Sequence, residues 1–186
     1  MDTREQAIHA AYQVILEAGV MGATYRKIAA QAQLSPGTLT YHFPTIDELL
    51  LAAFHQFAER FSESFTQRLQ EAASHAQACE AIVDLICGDI WPTPEHLLVS
   101  FELYAMASRQ PAYRAVLQHW QQQTGDALRL CFDDVTARLL DATVEGLTIH
   151  RVLGQNPLHR DTIAAHIASM SAAGYQPRAT RYAATR

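Results

Sequence analysis

The sequence has few cysteines, no long apolar run and no leader-like start, and each shortage excludes a class of protein. Cys79, Cys87 and Cys131 are the only cysteines among 186 residues, and all three lie in apolar stretches. This odd, small number argues against a disulfide framework and is typical of reduced thiols in the cytoplasm. No apolar run approaches the ~20 residues that span a bilayer, and the polar start MDTREQAIHAAYQ is not a signal peptide. We therefore expect a cytoplasmic protein with no membrane partner.

Positive charge is scarce as well. Fourteen Lys and Arg residues stand against nineteen Asp and Glu, the net charge is −5, and Lys27 is the only lysine. Such a chain has no overall attraction to nucleic acid, so any nucleic-acid surface must be a local basic patch. The apolar fraction of 49% beside 18% charged residues indicates a globular chain with a real core.

Strand-like alternation is missing too, because apolar residues recur at helical spacing almost throughout. Residues 4–18 carry one apolar stripe, Thr24 caps a short helix, and Thr45 caps a long helix that runs toward Glu71. Prolines, glycines and acidic pairs then separate five further helices, at about 75–90, 94–108, 111–132, 135–153 and 158–173. The pattern predicts an all-α fold of about nine helices.

The stretch SPGTLTYHF at residues 35–43 predicts a short helix with a polar outer face. Ser35 is a preferred N-cap, Pro36 suits the first helical position, and Phe43 before a proline ends the helix. At about 100° per residue Leu39 faces inward with Phe43, whereas the outer face and its flanks are small or hydrogen-bonding: Gly37, Thr38, Thr40, Tyr41 and His42. With the basic helix before it, this stretch predicts a helix-turn-helix.

Residues 5–54 carry several motifs in a fixed order. An apolar first helix is followed by G-x-x-x-x-T, by IA…A…LS-x-GTL, by an aromatic-x-Phe ending and by ELL at the start of the fourth helix. In this order the segment closely resembles the DNA-binding domain of the TetR family of transcriptional regulators. More weakly, LLDATVEGLTIH is similar to the DGL segment of that family's dimerising helices. The resemblance implies that the third helix enters the major groove of an operator.

The resemblance also implies roles for individual residues. Thr24, Arg26 and Lys27 would contact phosphates, whereas Thr38 and Thr40 would meet base edges or a thymine methyl group. Gly37 would let the backbone approach DNA closely, and Tyr41 and His42 would contact the sugar-phosphate backbone. This chain departs from the family where Pro36 and Ile46 replace frequent lysines and where Thr40 replaces a frequent tyrosine.

The domain organisation follows from the same comparison. We expect a helix-turn-helix DNA-binding domain at 1–45, a helical effector-binding and dimerisation domain at 46–175, and a flexible tail at 176–186. Within the second domain the apolar run LLVSFELYAMA predicts a buried helix beside a small-molecule pocket. The candidate ligand-binding residues are Trp91, Phe101, Glu102, Tyr104, Tyr113 and Trp120. The alternative is that these aromatic residues simply form the core.

Glu102 is the charged residue of this buried helix, and a buried charge costs free energy unless it is paired. It would bind a cationic or hydroxyl-bearing effector, or pair with Arg109 or Arg114.

The last two helices are candidates for an isologous four-helix interface between two copies of the chain. The expected interface residues are Leu139, Gly146, Leu147, Leu153, Ile163 and Ile167, and the alternative is again the core of the monomer.

Signals for catalysis or for a metal are lacking. Nine histidines show no paired ligand spacing, and the sequence has no nucleophile elbow, P-loop or Gly-rich dinucleotide turn. We therefore expect no enzyme, no metal and no cofactor.

Our interpretation of the whole sequence is a homodimeric repressor that a small-molecule effector releases from a palindromic operator on double-stranded DNA. Because residues 1–50 carry three basic and five acidic side chains, two alternatives stay open. One is a small-molecule-binding protein or enzyme with a vestigial helix-turn-helix, and the other is a regulator that acts through protein partners.

Overall fold

The computed structural model describes residues 2–88 and 94–177, and the described chain is helical nearly throughout. It confirms the all-α prediction, with nine helices in those ranges: α1 Thr3–Gly22, α2 Tyr25–Ala32, α3 Pro36–His42, α4 Ile46–Glu71, α5 His75–Cys87, α6 Pro94–Ala107, α7 Pro111–Arg129, α8 Asp134–Leu153 and α9 Arg160–Ser171. None of these helices combines the length and the apolarity that crossing a bilayer requires.

The helix ends follow local signals in the sequence. Asp2 and Glu5 form a capping box at the start of α1, with backbone to side-chain hydrogen bonds of 2.8 and 3.2 Å. Ser74 and Asp133 cap α5 and α8 through their side chains, which accept from Gln77 N and Thr136 N. Gly88 ends α5 at φ 93°, a left-handed conformation that glycine adopts without strain. The helix boundaries therefore lie close to the predicted ones.

Helix α7 ends at Arg129 rather than at the predicted residue 132, and the reason is long-range. The chain after α7 pairs with the segment after α9: Gly174 O accepts from Asp133 N at 2.8 Å, and Cys131 O accepts from Gln176 N at 2.8 Å. Tyr175 also packs its ring against Phe132, with centroids 6.0 Å apart. These contacts hold residues 174–176, which we call the strap, against the chain between α7 and α8. Most of the predicted tail, 178–186, lies outside the described residues.

The contacts divide the chain into two compact units, and the first comprises residues 1–60 and 94–120. In this unit α1 packs against α2, α3 and α6. Aromatic contacts support it, including Phe54 with Tyr113 at 5.8 Å and Phe57 with Trp120 at 5.4 Å. The unit is thus larger than the predicted DNA-binding domain, since it also holds α6 and the first part of α7. The boundary at residues 45 and 46 between a DNA-binding and an effector-binding domain stays a prediction.

The second unit comprises residues 61–93 and 121–186, and in it α5 packs against α8 and α9. Its core includes fully buried side chains from five helices or their ends, namely Phe65, Leu69, Ile82, Leu128, Phe132, Leu140 and Ile167. Asp84 forms ion pairs with Arg68 and with Arg160 and so links α4, α5 and α9. The three cysteines are free thiols; Cys79 and Cys131 are buried, and Cys87 is half-buried.

Candidate nucleic-acid interface and ligand pocket

Helices α2 and α3 begin at side-chain caps and are joined by a tight turn. The Thr24 hydroxyl accepts from Lys27 N at 3.3 Å, and the Ser35 hydroxyl accepts from Thr38 N at 3.0 Å. Between them Gln33 adopts a left-handed conformation at φ 54° and ends α2. Both predicted caps are therefore confirmed, and they define the first turns of the two helices.

The inner face of α3 is anchored in the first unit. Leu39 and Phe43 are 0% and 3% exposed, which confirms that they belong to the core. The Tyr25 hydroxyl donates to Phe43 O at 2.6 Å and joins the start of α2 to the end of α3. Burial, followed by the charge of Glu48, raises the pKa of Tyr25, so the hydroxyl stays protonated and remains a donor. The position of α3 is thus fixed by its buried side.

The outer face of α3 is polar and open to solvent. Gly37, Thr40 and Tyr41 are exposed, and Tyr41 exposes 83% of its surface with its ring edge-on to His42. The Thr40 hydroxyl donates to Gly37 O at 3.1 Å, which leaves its oxygen lone pairs and methyl group for a partner. Thr38 is different: it is half-buried, and its hydroxyl lies 2.8 Å from that of Ser35. Of the two threonines, Thr40 is the better placed for a base edge.

The predicted phosphate-binding residues lie together at the start of α2. Thr24, Arg26 and Lys27 are all exposed, and in the part of the chain that the structure describes neither cation forms an ion pair. The sequence interpretation did not include Arg4, whose guanidinium lies 5.1 Å from the centroid of the Phe43 ring. This contact brings a third cation to the end of α3. Only folding reveals it, because it joins residues 39 positions apart.

A pocket of about 470 Å³ lies between α1 and α6 within the first unit. Its lining residues are Ile15, Leu16, Glu17, Gly19, Leu98, Phe101, Glu102 and Ala105. Of the six predicted ligand-binding residues, Phe101 and Glu102 line it. Tyr113 is fully buried and donates to Asp47 at 3.1 Å, and burial together with that carboxylate raises its pKa.

The remaining predicted ligand residues lie elsewhere. Trp120 packs on Phe57, Tyr104 is half-buried on α6 but is not among the lining residues, and Trp91 lies outside the described residues. Tyr113 therefore belongs to the core of the first unit, as the alternative interpretation predicted, whereas Trp120 is half-buried and its role stays a prediction. Neither suggested arginine pairs with Glu102: Arg114 donates to the backbone oxygens of Ala107 and Ser108, and no ion pair joins Glu102 to Arg109 among the described side chains.

Helix α8 exposes a row of apolar side chains in the second unit. Val135, Leu139 and Leu153 are 68%, 55% and 60% exposed, and at about 100° per residue they fall on one face with Gly146. A Cβ at Gly146 would meet nothing within 4 Å, so this face is open. Leu147 is half-buried and lines a second pocket of about 670 Å³ with Gly146.

Two of the predicted interface residues, Ile163 and Ile167, are 1% and 0% exposed and pack in the core of the second unit. Ile167 is thus a core residue, whereas Ile163 also lines the second pocket with Gly146 and Leu147, and its part in an interface stays a prediction. Across the described ranges, no three His, Cys, Asp or Glu side chains form a group that could hold a metal ion.

Comparisons with known proteins cover both units. The family model described as "Bacterial regulatory proteins, tetR family" matches residues 7–53, and the model "Tetracyclin repressor-like, C-terminal domain" matches residues 73–173. The HTH-type transcriptional regulator PksA of Bacillus subtilis (strain 168) is 29% identical over 181 residues, which covers 86% of this chain and 83% of PksA.

Solved structures give the same result. SCO7518 of Streptomyces coelicolor A3(2) has a TM-score of 0.83 at 37% identity, covering 91% of this chain and 98% of that chain. The multidrug binding protein EbrR in complex with ethidium has a TM-score of 0.74 at 26% identity, covering 91% of this chain and 99% of that chain. The helix-turn-helix, the helical second part and these matches agree: the chain belongs to the TetR family of transcriptional regulators.

Proposed function

We propose that this regulator is a cytoplasmic homodimer that represses transcription by binding a palindromic operator, and that a small-molecule effector releases it. The observation that carries the proposal is the anchored helix α3. Its inner residues Leu39 and Phe43 are buried, while Gly37, Thr40 and Tyr41 are exposed on its outer face. A rigid helix with a polar outer face suits the major groove, which is wide enough to admit it.

Contacts to DNA divide by chemistry. Thr24, Arg26 and Lys27 at the start of α2 would hold phosphates, which position the protein without specifying a sequence. Thr40 and Tyr41 would contact base edges and the neighbouring backbone. Because the basic residues are few, non-specific binding should be weak, and the salt dependence should be shallow for a regulator of this size.

A dimer is supported by the exposed face of α8. Aliphatic side chains as open as Val135, Leu139 and Leu153 lose contact with water when a second copy covers them. Gly146 lies on the same face with open space around it, which permits close approach of a partner helix. A two-fold dimer would place two α3 helices on half-sites about 34 Å apart, and the operator would share that symmetry.

An effector is supported by the pocket between α1 and α6 and by the EbrR complex with ethidium, a relative with a bound small molecule. Phe101 and Glu102 give the pocket one aromatic wall and one charged group. For the effector to act, it must bind the DNA-free state more tightly than the DNA-bound state.

The test is selection of bound sequences from random duplexes, followed by a salt titration on the selected operator. We expect a palindromic sequence whose log K falls as log salt rises. Tyr41→Ala should abolish or strongly weaken binding without unfolding the protein, since the side chain is 83% exposed. Tyr41→Phe is the matched control and separates the hydroxyl from the ring. A protein that enriches no sequence even at low salt and without added ligand would contradict operator binding.

A further inference from the structure

We propose that the pocket between α1 and α6 binds an organic cation, with the positive centre beside Glu102 and the apolar body against Phe101 and Leu98. The site and its ligand class are independent of the DNA chemistry. The inference rests on the proposed function in one respect only, namely that the bound cation is the effector that weakens operator binding.

The first argument is charge. Two of the eight lining residues are carboxylates, Glu17 and Glu102, and none of the eight is Lys or Arg. Among the described side chains neither carboxylate has an ion-pair partner. Glu102 is half-buried, and a half-buried carboxylate without a counter-charge costs free energy. A bound cation would supply that counter-charge.

The second argument is the helix break that forms one wall of the pocket. Gly19 interrupts α1 at φ 66° and ψ 174°, which breaks the regular helix at this wall. The Glu102 Oε1 atom reaches this break and lies 2.5 Å from where a Cβ on residue 19 would be. The Glu102 carboxylate therefore makes this corner of the pocket negative.

The third argument concerns the apolar walls, which decide the kind of cation. Ile15 and Leu16 contribute from α1, and Leu98, Phe101 and Ala105 contribute from α6. Calcium takes six to eight oxygen ligands, far more than two carboxylates supply. An aromatic ring attracts organic cations through its face, and Leu98 keeps the rim apolar at 48% exposure. The walls thus fit an ammonium-like centre on an apolar body.

Binding at this place has a direct route to the DNA-binding helices. Gly19 precedes Thr24, the cap of α2, by five residues, and the last turn of α1 lies between them. The Glu102 carboxylate lies beside Gly19. A cation that draws Glu102 away from Gly19 changes the packing of the segment leading to Arg26 and Lys27. By linkage, the operator must then weaken cation binding by the same factor by which the cation weakens operator binding.

The experiment is calorimetric titration of the full chain, without DNA, with tetraphenylphosphonium and with the size-matched anion tetraphenylborate. We expect the cation to bind and the anion to show no saturable site. Glu102→Gln should weaken cation binding about tenfold, as expected for loss of a partly buried charge partner. Glu59→Gln is the matched control, because Glu59 is an exposed residue of α4 outside the pocket, and it should bind like the wild type.

A second variant tests the site independently, in case Glu102→Gln does not fold. Leu98→Gln changes a side chain that is about half exposed, and it should weaken the cation while leaving thermal unfolding unchanged. Equal binding of the two ions, or wild-type affinity in both variants, would overturn the site. A cation that binds as expected but leaves operator affinity unchanged in an anisotropy titration would overturn its role as effector and leave the site in place.

Discussion

The outer face of α3 and the exposed face of α8 are both open to solvent, yet their chemistry is opposite. Helix α3 presents Gly37, Thr40 and Tyr41, which hydrogen-bond or allow close approach, whereas α8 presents Val135 and Leu139. Polar side chains can hydrogen-bond to the phosphates and base edges of DNA. Aliphatic side chains contribute favourable binding free energy only when a partner removes them from water. The difference matches the two kinds of partner proposed above for these helices, nucleic acid for α3 and a second copy of the chain for α8.

The largest expected effect comes from making the α8 face polar. Leu139→Arg places a charge in the middle of the apolar row, where a second copy would have to desolvate it. The protein should become monomeric by light scattering. Operator affinity should fall roughly 10²- to 10⁴-fold, because the second half-site no longer binds as part of one molecule. Gln70→Arg, at an exposed position of α4 in the same unit, is the control; a dimeric Leu139→Arg protein would refute the α8 interface.

The next largest effect is on stability, and it compares the first turns of α3 and α8. Helix α3 begins at the local cap Ser35, whereas α8 begins at Asp133, which the strap also holds. A Cβ on Gly174 would lie 1.8 Å from Thr136 Oγ1, so Gly174→Ala must displace the strap or the first turn of α8. We expect a loss of about 3 kcal/mol in the free energy of unfolding, against about 1 kcal/mol for Ser35→Ala. Urea titration of both variants measures this, and a smaller loss for Gly174→Ala would show that the strap yields easily.

Within α3, two threonines two positions apart should separate affinity from stability. Thr40→Ala removes an exposed group and should cost about 1–3 kcal/mol of operator binding, with relaxed preference at one position of each half-site. Thr38→Ala removes the contact to Ser35 and should instead cost about 1 kcal/mol of stability. Anisotropy titration and thermal unfolding of each variant give the comparison. The assignment fails if Thr38→Ala loses more operator affinity than Thr40→Ala.

The sequence was sufficient for features that depend on neighbours along the chain. The caps Thr24 and Ser35, the buried Leu39 and the polar face of α3 follow from local signals and helical periodicity, and the structure has each of them. The apolar row on α8 also follows from spacing, because a helix repeats its faces regularly. Local order and face chemistry were therefore predictable.

Features that depend on distant residues were not predictable from spacing. Arg4 lies over Phe43, Glu102 lies beside Gly19, and Gly174 lies beside Thr136, and no periodicity relates the members of these pairs. Periodicity also cannot say which side of an apolar helix meets the core. Ile167 therefore looked like an interface residue although it is fully buried. Tertiary packing decided each of these cases.

The smallest effect concerns a carboxylate on α8 itself. Desolvation, followed by the charge of Glu145, raises the pKa of Asp141 to about 6 against the opposing influence of Arg129. A folded-state pKa above the unfolded value of 3.8 means that the folded protein binds the proton more tightly. Asp141 therefore favours folding fully below about pH 4, and this contribution is lost as the pH rises through 6.

Between pH 5 and pH 7, Asp141 should lower the free energy of unfolding by about 1 kcal/mol. Asp141→Asn removes this titration, so its stability should change less over the interval than that of the wild type, as measured by urea unfolding at both pH values. Equal pH dependence in the two proteins would mean that the carboxylate is hydrated in solution. A weaker pH dependence of stability in Asp141→Asn would show that α8 carries a desolvated carboxylate on its half-buried side as well as an apolar row on its exposed face.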